Sequence, residues 1–332
     1  MVDIFTAKKI TTERDAWDEP FPSDKGPLTI AHLSDLHIAC TGSLSWRQLL
    51  NKRILGYLRW KLGRSKEFDY RILAILEQEL QQIRADQTII TGDLTHLGLP
   101  QEFKKVAMWL SRVGKPDDLL VLPGNHDTYV RMPWAKTFFQ WQAYAPYSFC
   151  KDKSPSALQA IFPVVRVRKA VALIGLATAA PSPWHLATGK VGRGQLERLE
   201  SILQRTRQRG LFQVLAIHHP PAPAVVDKRK ELVDAGELLQ LIEKHGCGLV
   251  LHGHSHLTSL YFIKGPAGQI PVVEAPSALS VSPRKERRAK YFIFEISRQK
   301  ENYWMCKMEE RVFKSYEQGF AKGKIRHFYL RL

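Results

Sequence analysis

The chain has 332 residues, of which 44% are apolar, so it can bury a large core and is not a disordered segment. Its formal charge of +17 indicates an anionic partner, which is a nucleic acid, a phosphate-bearing small molecule or an acidic membrane surface. No apolar stretch reaches the roughly 18–20 residues of a spanning helix, and the charged N-terminus lacks the apolar core of a secretory signal.

Short apolar runs alternate with helical patterns along most of the chain. The apolar runs predict buried strands at 28–33, 88–90, 119–122, 214–217 and 249–251. Between them, apolar residues at helical spacing predict helices at about 70–84, 101–113, 194–209 and 235–245. Strands that alternate with helices indicate an α/β layered fold, in which ligands bind at the C-terminal ends of the strands.

Beyond residue 256 the pattern changes to short strands. Residues 257–263, 270–274 and 291–296, with Gly/Pro turns between them, predict a meander that closes the sheet, and 299–332 predict a polar helix and an aromatic-rich stretch. No repeat or interdomain linker is visible. We therefore expect a single domain over 1–332, with a core at about 28–298, a helical cap insertion at 40–68 and a C-terminal extension at 299–332.

Each predicted strand ends in side chains that can hold a metal ion: Asp35 and His37, Asp93, Asn125, His218, and His254 with His256. The D-x-H and H-x-H spacings place two side chains on one side of an extended strand end. Gly92 and Gly124 permit sharp backbone turns before the third and fourth of these ligands. The mixture of carboxylate, amide and imidazole suits Mn²⁺, Fe²⁺ or Zn²⁺ better than Ca²⁺ or Mg²⁺.

Two cations about 3.5–4 Å apart would activate a shared water and neutralise phosphate oxygens. Like charges held that close need a bridging carboxylate, and Asp93 is the candidate. Each motif alone also occurs as an ordinary turn or hydrogen-bonded loop. Because all of them occur in order, each after a buried strand, a shared metal site is the better explanation.

The same motifs resemble those of the calcineurin-like metallophosphoesterases, over about residues 28–298. The family pattern D-x-H, G-D-x-x-x-x-G, G-N-H-D, H-x-P and G-H-x-H is complete, from Asp35 to His256. The resemblance implies a two-sheet β-sandwich flanked by helices and two metal ions. It assigns the first ion to Asp35, His37, Asp93 and His256, and the second to Asp93, Asn125, His218 and His254.

The resemblance also implies roles for neighbouring residues. His126 would face the substrate, to stabilise the transition state or protonate the leaving oxygen, with Asp127 fixing its orientation. His219 would support the site or have a structural role. Apart from the resemblance, His96 lies inside the loop between Gly92 and Gly98 and from that position could touch the substrate.

The insertion between the first two motifs is basic and amphipathic. Residues 45–66 contain seven Lys or Arg residues and no acid, interleaved with Trp, Tyr, Leu and Ile. Two helical stripes are apolar, and Gly56 and Gly63 allow a break into two short helices. An ordinary helix packed on the core would also have this pattern, but the composition is typical of a membrane-surface helix. The candidate substrate contacts are Trp46, Arg47, Leu50, Arg53, Ile54, Tyr57, Trp60 and His96.

A cap of this kind beside two metals suggests an amphiphilic substrate. Residues 51–60 and the chain length resemble one type of UDP-2,3-diacylglucosamine pyrophosphatase of lipid A biosynthesis. That resemblance implies Mn²⁺-assisted hydrolysis to UMP and 2,3-diacylglucosamine 1-phosphate. The better-known enzymes for this reaction carry Arg at the position of His126, and this chain departs from them there.

Two alternatives stay open. A phosphodiesterase acting on cyclic nucleotides or nucleic acid would use the positive charge equally well. A non-catalytic metal-binding scaffold would retain the fold, although such proteins normally show gaps in the motifs and none is missing here.

The expected location is the cytoplasm, with peripheral association at the inner face of the cell membrane. We expect no stable nucleic-acid partner. The four cysteines are widely spaced and form no C-x-x-C pair, which is typical of a reducing compartment, although the count also allows two disulfides.

Overall fold

We describe the fold from a computed structural model that covers residues 26–40, 51–62, 67–144, 157–183, 185–222, 226–300 and 302–332. Twelve strands form two sheets of six strands each. The first sheet contains β1 (Leu28–Leu33), β2 (Gln87–Ile90), β3 (Leu119–Val121), β10 (Lys290–Lys300), β11 (Tyr303–Ser315) and β12 (Gly319–Arg331). The second contains β4 (Val164–Arg168), β5 (Val171–Gly175), β6 (Phe212–Ala216), β7 (Leu249–His252), β8 (Ser259–Gly265) and β9 (Gly268–Glu274).

The strand order is β12-β11-β10-β1-β2-β3 in the first sheet and β4-β5-β6-β7-β9-β8 in the second. Strands β1, β2 and β3 run parallel, as do β5, β6, β7 and β9. Parallel strands end at the same edge of a sheet, so the loops that follow β1, β2, β3, β6 and β7 lie together.

In the part of the chain that the structure describes, six helices flank the sheets: α1 (Arg53–Leu62), α2 (Arg71–Ile83), α3 (Pro100–Val113), α4 (Ala157–Ile161), α5 (Arg193–Gln208) and α6 (Ala235–His245). Successive residues of a buried strand face opposite sides, and β6 shows this directly. Val214 belongs to the core that also contains Ile30 and Phe294 of the first sheet, whereas Leu215 packs with Leu199 of α5. Both faces of the second sheet are therefore covered, and its strands are apolar on both sides.

The two-sheet sandwich with flanking helices confirms the expected fold class, and the four predicted helices are present within one residue or so of their predicted ends. The predicted helix in 299–332 is wrong. Residues 303–331 form the antiparallel pair β11 and β12, which extends the first sheet. The reason is visible in β11, where buried Trp304, Cys306 and Met308 alternate with less buried neighbours, a period of two rather than 3.6.

Strands β4 and β5 were not predicted, although residues 171–175 form a continuous apolar run.

Part of the predicted cap is present as α1. This helix is continuous through Gly56, so the break predicted there is wrong. Trp46, Arg47, Leu50 and Gly63 lie outside the described residues.

Among the described residues no helix has the length and apolar character needed to cross a membrane. Cys40, Cys247 and Cys306 are unpaired, and Cys150 lies outside the described ranges.

Candidate metal centre

The backbone of the candidate ligands is unusual. Eight non-glycine residues of the described chain have positive φ, and five of them are candidate ligands: Asp35, His37, Asp93, His254 and His256. The extended strand end predicted for the D-x-H and H-x-H pairs is therefore wrong. These side chains converge because left-handed residues turn the chain at the strand ends, a conformation that is typical of functional sites.

Two glycines make room for this turn. Gly92 has a φ of +100°, a region that residues with a Cβ rarely adopt. Gly124 acts differently, because a Cβ there would overlap the carboxylate and backbone of Asp93. The sharp turn predicted at both glycines is present at the first, whereas the second permits the close approach of two loops.

The first cluster joins the loops after β1, β2 and β7. The Nε2 atoms of His37 and His256 lie 3.0 Å apart. The Asp35 Oδ1 atom lies 3.6 Å from the first of these nitrogens and 3.3 Å from the second. The Asp93 Oδ2 atom completes the cluster, 3.8 Å from His37 Nε2. Four potential donor atoms thus face one point.

The second cluster joins the loops after β2, β3, β6 and β7. The Nε2 atom of His218 is central: it lies 3.4 Å from Asp93 Oδ1, 3.1 Å from Asn125 Oδ1 and 3.3 Å from His254 Nδ1. Asp93 therefore offers one carboxylate oxygen to each cluster. The structure brings together all seven predicted side chains in the two groups of four that share Asp93.

Hydrogen bonds outside the clusters orient these side chains. The His218 Nδ1 atom lies 2.6 Å from the Thr91 carbonyl oxygen, so it donates there and directs Nε2 into the site. The backbone N–H of His254 donates to Asp35 Oδ2 at 2.9 Å, which connects the two sheets. The amides of Asp35 and His37 donate to the carbonyls of Gly92 and Asp93, so the first two loops are joined by backbone hydrogen bonds.

The electrostatics of the clusters are those of a site that attracts cations. Burial opposes ionisation of Asp35, but the adjacent His256 and His37 hold the pKa of its carboxyl well below its usual range. Asp93 behaves in the same way: its burial is outweighed by His218, His126 and His37, and its pKa is low. Burial lowers the pKa of His218, yet Asp93 raises it to about 9, so a proton supplies the positive charge.

The donor atoms fit divalent cations. Within the described residues Asp35 Oδ1 is buried and accepts no hydrogen bond, and the two facing Nε2 atoms at 3.0 Å can share at most one proton if neutral. A buried polar atom without a partner is costly, and a cation between these lone pairs removes that cost. Four groups of described residues have ligand atoms within 4.8 Å of one another: Asp35–His37–His256, Asp35–Asp93–His218, His218–His219–His254 and His37–His96–His126. The first two contain only predicted ligands, and the other two add His219, His96 and His126.

His126 lies beside the clusters rather than in them. Its ring centroid is 4.6 Å from that of His37, and its Nδ1 atom lies 2.5 Å from the His96 carbonyl oxygen. Its backbone N–H donates to Asp93 Oδ1 at 2.7 Å. The ring is partly exposed, which agrees with the predicted position facing a substrate.

The Asp127 carboxylate, which was predicted to fix the orientation of the His126 ring, binds the loop after β2 and the backbone of Gly124. The Asp127 carboxylate accepts hydrogen bonds from the backbone of Gly124, Leu94 and Thr95 and from the Thr95 hydroxyl. Burial, with a contribution from nearby Asp93, raises its pKa to about 7. Asp127 thus connects the loops after β2 and β3, and the His96 carbonyl is the group that orients His126.

The candidate substrate contacts divide into two sets. Trp60 packs on His96 with ring centroids 4.5 Å apart, and Ile54 is 46% exposed on the outer side of α1. Tyr57 is partly buried. Arg53 is only 3% exposed and its guanidinium donates to backbone carbonyls, so the prediction that it contacts substrate is wrong.

Some supporting residues were missed in the sequence. Glu274, at the end of β9, accepts a hydrogen bond from the Ser255 amide at 3.0 Å and from the hydroxyls of Ser255 and Ser259. It therefore holds the loop of His254 and His256. An acid directly after an apolar strand was the available signal. The ring nitrogens of His219 contact Thr178 Oγ1 and the Ala187 carbonyl, and its supporting role stays a prediction.

Two ligand clusters that share one carboxylate, at the edge of a two-sheet sandwich, define a protein of the dinuclear metal-binding class. The chain belongs to the calcineurin-like phosphoesterase family, whose model matches residues 28–257. The resemblance to this family that the sequence motifs indicated is thereby confirmed. The clusters of carboxylate and imidazole groups fit the two divalent ions that this family implies.

The curated relatives are described as cyclic nucleotide phosphodiesterases. The chain is 28% identical over 200 residues to a cAMP/cGMP dual specificity phosphodiesterase of Mycobacterium tuberculosis, which covers 58% of this chain and 55% of that protein. It is 25% identical over 250 residues to a probable cyclic nucleotide phosphodiesterase of Synechococcus, covering 74% and 79%. The match thus spans little more than half the length of the mycobacterial protein.

Solved structures of low identity share the fold. A dimetal phosphatase from Danio rerio aligns with a TM-score of 0.57 at 11% identity, over 92% of this chain and 98% of that one. A purple acid phosphatase from yellow lupin aligns with a TM-score of 0.54 at 12% identity, over 93% and 55%. At this identity the likeness describes the architecture alone.

Proposed function

We propose that this chain hydrolyses a phosphoester or pyrophosphate bond at a centre of two divalent cations. The observation that carries the proposal is the position of Asp93, whose two carboxylate oxygens face different clusters at 3.8 Å from His37 Nε2 and 3.4 Å from His218 Nε2. A carboxylate in this position can bridge two ions, as the reaction requires.

Asp35, His37, Asp93 and His256 would hold one ion, and Asp93, Asn125, His218 and His254 the other. Mn²⁺ is the ion we propose, since the donors are a mixture of oxygen and imidazole nitrogen. When bound, the two cations lower the pKa of a shared water toward about 7 and neutralise phosphate oxygens.

His126 would act on the substrate from beside the ions. Its Nδ1–H donates to the His96 carbonyl, so Nε2 is left on the opposite side of the ring to face a phosphate oxygen or the leaving oxygen. A positively charged ring there stabilises developing negative charge and can deliver a proton to the leaving oxygen. The backbone hydrogen bond to Asp93 keeps the ring beside the clusters.

We propose UDP-2,3-diacylglucosamine as the substrate. The support is the outer side of α1, where Ile54, Leu58 and Leu62 are 46%, 45% and 85% exposed at helical spacing. The opposite side of the helix carries buried Arg53 and Trp60, which reaches His96 next to the site. Acyl chains on this apolar stripe would leave the pyrophosphate at the cations. Water then attacks the α-phosphorus, and the bridging oxygen leaves with 2,3-diacylglucosamine 1-phosphate while UMP is released.

The same stripe supports peripheral docking on the inner face of the cell membrane. The formal charge of +17 favours an anionic leaflet, and each basic residue near such a surface contributes about 1 kcal/mol. At low salt the protein should co-sediment with vesicles that contain anionic phospholipid, and at high salt it should stay in the supernatant. Equal sedimentation with uncharged vesicles would contradict this electrostatic docking.

The second candidate is hydrolysis of a cyclic nucleotide phosphodiester, which the described activity of the relatives favours. Such a substrate has no acyl chains and would not use the apolar stripe. Binding of nucleic acid or a purely scaffolding role have no comparable support among the described contacts.

A substrate panel tests both candidates. Protein with Mn²⁺ is assayed against UDP-2,3-diacylglucosamine in detergent, UDP-glucosamine without acyl chains, cyclic AMP and single-stranded DNA. We expect UMP release from the acylated substrate and discrimination against the unacylated one. Equal turnover of both, or turnover of cyclic AMP alone, would refute the acyl-chain proposal, and no turnover of any substrate would refute the hydrolase.

A matched pair of variants tests the stripe itself. Leu58→Gln should raise KM for the acylated substrate about five-fold, because removing a half-exposed apolar contact costs about 1 kcal/mol. Met108→Gln is the control, since Met108 is 62% exposed on α3. An unchanged KM for Leu58→Gln would contradict acyl binding on α1.

A further inference from the structure

Arg53 has an unusual environment for an arginine. It is 3% exposed, and its guanidinium donates to two backbone carbonyls, from Nε to Leu97 at 2.8 Å and from Nη2 to Gly98 at 2.7 Å. A buried guanidinium needs such acceptors, and hydrogen bonds with a charged donor are strong. Arg53 therefore attaches α1 of the cap to the loop that follows Asp93.

The opposite side of the same loop is held by Glu102 of α3. Its Oε2 atom accepts from the amides of Leu97 at 2.8 Å and Leu99 at 3.1 Å. The loop also contains Gly98 with a φ of +63°. Its carbonyls are thus held by Arg53 and its amides by Glu102, so the direction of each peptide group is determined.

One of these peptide groups orients His126. The Leu97 amide and the His96 carbonyl belong to the same planar peptide unit. The amide side of this unit binds Glu102, and the carbonyl oxygen lies 2.5 Å from His126 Nδ1. A rotation of the loop would move that oxygen, and the imidazole would lose the acceptor that directs its Nε2 atom.

A second contact from α1 supports the same ring. Gly56 packs so closely that a Cβ there would lie 2.7 Å from Leu97 Cδ2 and 2.9 Å from Tyr129 Oη. The Tyr129 ring in turn stacks on His126, with centroids 5.2 Å apart and planes at 30°. The cap helix therefore reaches both the loop beside His126 and the ring stacked on it.

We propose that Arg53 is a positioning residue for His126, so that the cap helix is part of the catalytic arrangement as well as a substrate surface. The proposal rests on the proposed phosphoester hydrolysis. It assigns a role to a side chain that touches neither substrate nor ions. Arg53 holds the peptide groups 97–98 and 98–99, and these determine the position of the adjoining peptide group 96–97, whose carbonyl oxygen orients His126.

Two aryl phosphodiesters separate positioning from general damage. Diphenyl phosphate releases a basic phenolate that needs a proton, whereas bis(4-nitrophenyl) phosphate releases a weakly basic anion that does not. His126→Ala should lower kcat for diphenyl phosphate about 100-fold. Arg53→Gln should lower it about 10-fold by displacing the ring, with KM little changed. Both variants should lose no more than a few-fold in kcat on bis(4-nitrophenyl) phosphate, and both should retain two metal ions.

Three controls accompany this test. Arg53→Lys keeps one charged donor and should recover part of the kcat. Arg193→Gln should behave as wild type, because Arg193 is 91% exposed and pairs with Glu197 on the surface of α5. In the metal-free protein, the His126 Nδ1 proton should give a slowly exchanging NMR signal that is lost in Arg53→Gln.

Several results would overturn the proposal. Equal losses on both substrates, loss of metal, or an unchanged His126 proton signal in Arg53→Gln would show that Arg53 does not act through His126. If Arg53→Gln does not fold, Gly56→Ala takes its place in the comparison of the two esters, because a Cβ there would displace Leu97 of the same loop. A wild-type protein that hydrolyses neither ester refutes the proposed function instead, and the NMR comparison then decides the positioning role alone.

Discussion

At the scale of single residues, the candidate centre depends on side chains whose backbones are strained. Asp35, His37, Asp93, His254 and His256 all have positive φ. Each such residue costs of the order of 1 kcal/mol, which persists only where the surroundings determine the conformation. Here the surroundings are hydrogen bonds between loops, such as the His254 amide to Asp35 at 2.9 Å. These hydrogen bonds hold together the loops that carry the donor atoms.

Asp93 is the residue on which both clusters depend. Asp93→Asn removes one charge while keeping the size of the side chain, so we expect fewer than two ions per chain and a phosphodiesterase rate reduced by more than about 100-fold, beyond the loss typical of a supporting residue. Metal content by mass spectrometry and kcat on bis(4-nitrophenyl) phosphate measure the effect. Asp86→Asn, on a surface pair with Lys169, is the control. Two bound ions with normal activity in Asp93→Asn would disprove the bridging role.

At the scale of elements, the end of β9 supports the loop between β7 and β8. Glu274 is fully buried and binds Ser255 between His254 and His256. Burial raises the pKa of its carboxyl from 4.5 to about 7, against hydrogen bonds from Ser255 and Ser259 that lower it. The folded chain therefore binds this proton more tightly than the unfolded chain does. The stabilisation that the protonated Glu274 carboxyl contributes to the folded state is complete below pH 4.5 and is lost as the pH rises through about 7.

Glu274→Gln should remove this pH dependence. Between pH 5 and 8 we expect the free energy of unfolding of the metal-free wild type to fall relative to the variant by up to about 3 kcal/mol. Urea unfolding at the two pH values measures the difference. Glu243→Gln, at a surface pair with Lys264, should follow the wild type. Parallel pH dependence in wild type and Glu274→Gln would show that this carboxyl is already ionised.

At the scale of the whole molecule, the centre lies where the two sheets meet. Asp35, Asp93 and Asn125 follow strands of the first sheet, and His218 and His254 follow strands of the second. Cations bound between them would connect the sheets and stabilise the folded state, since the unfolded chain cannot assemble these ligands.

Removal of metal should therefore lower the melting temperature. At a free Mn²⁺ concentration 100 times Kd, each ion contributes about 2.7 kcal/mol, which corresponds to roughly 4 °C per ion for a chain of 332 residues. Calorimetry with Mn²⁺ and with a chelator measures the shift, and Asp93→Asn should show a smaller one. A melting temperature that is independent of metal would exclude a site between the sheets.

The sequence by itself determined which side chains form the candidate centre, because each motif is local and follows an apolar run that predicts its strand. It also determined the helices α2, α3, α5 and α6 and the family. Its composition pointed to a cap, whose helix α1 the structure contains.

Only the tertiary structure decided how these parts act on one another. Asp35 and His256 are 221 positions apart, so their 3.3 Å approach depends on the packing of two sheets and not on any local pattern. The same holds for Arg53, whose charge suggested a substrate contact until its carbonyl partners, 44 and 45 positions away, placed it in the interior. The hydrogen bonds from the loop after β2 to Asp127, 32 and 33 positions away, likewise depend on the tertiary structure. Residue type and local periodicity can be read from the sequence. The partner of each polar side chain depends instead on which residues are buried together and on which backbone groups still need a hydrogen bond.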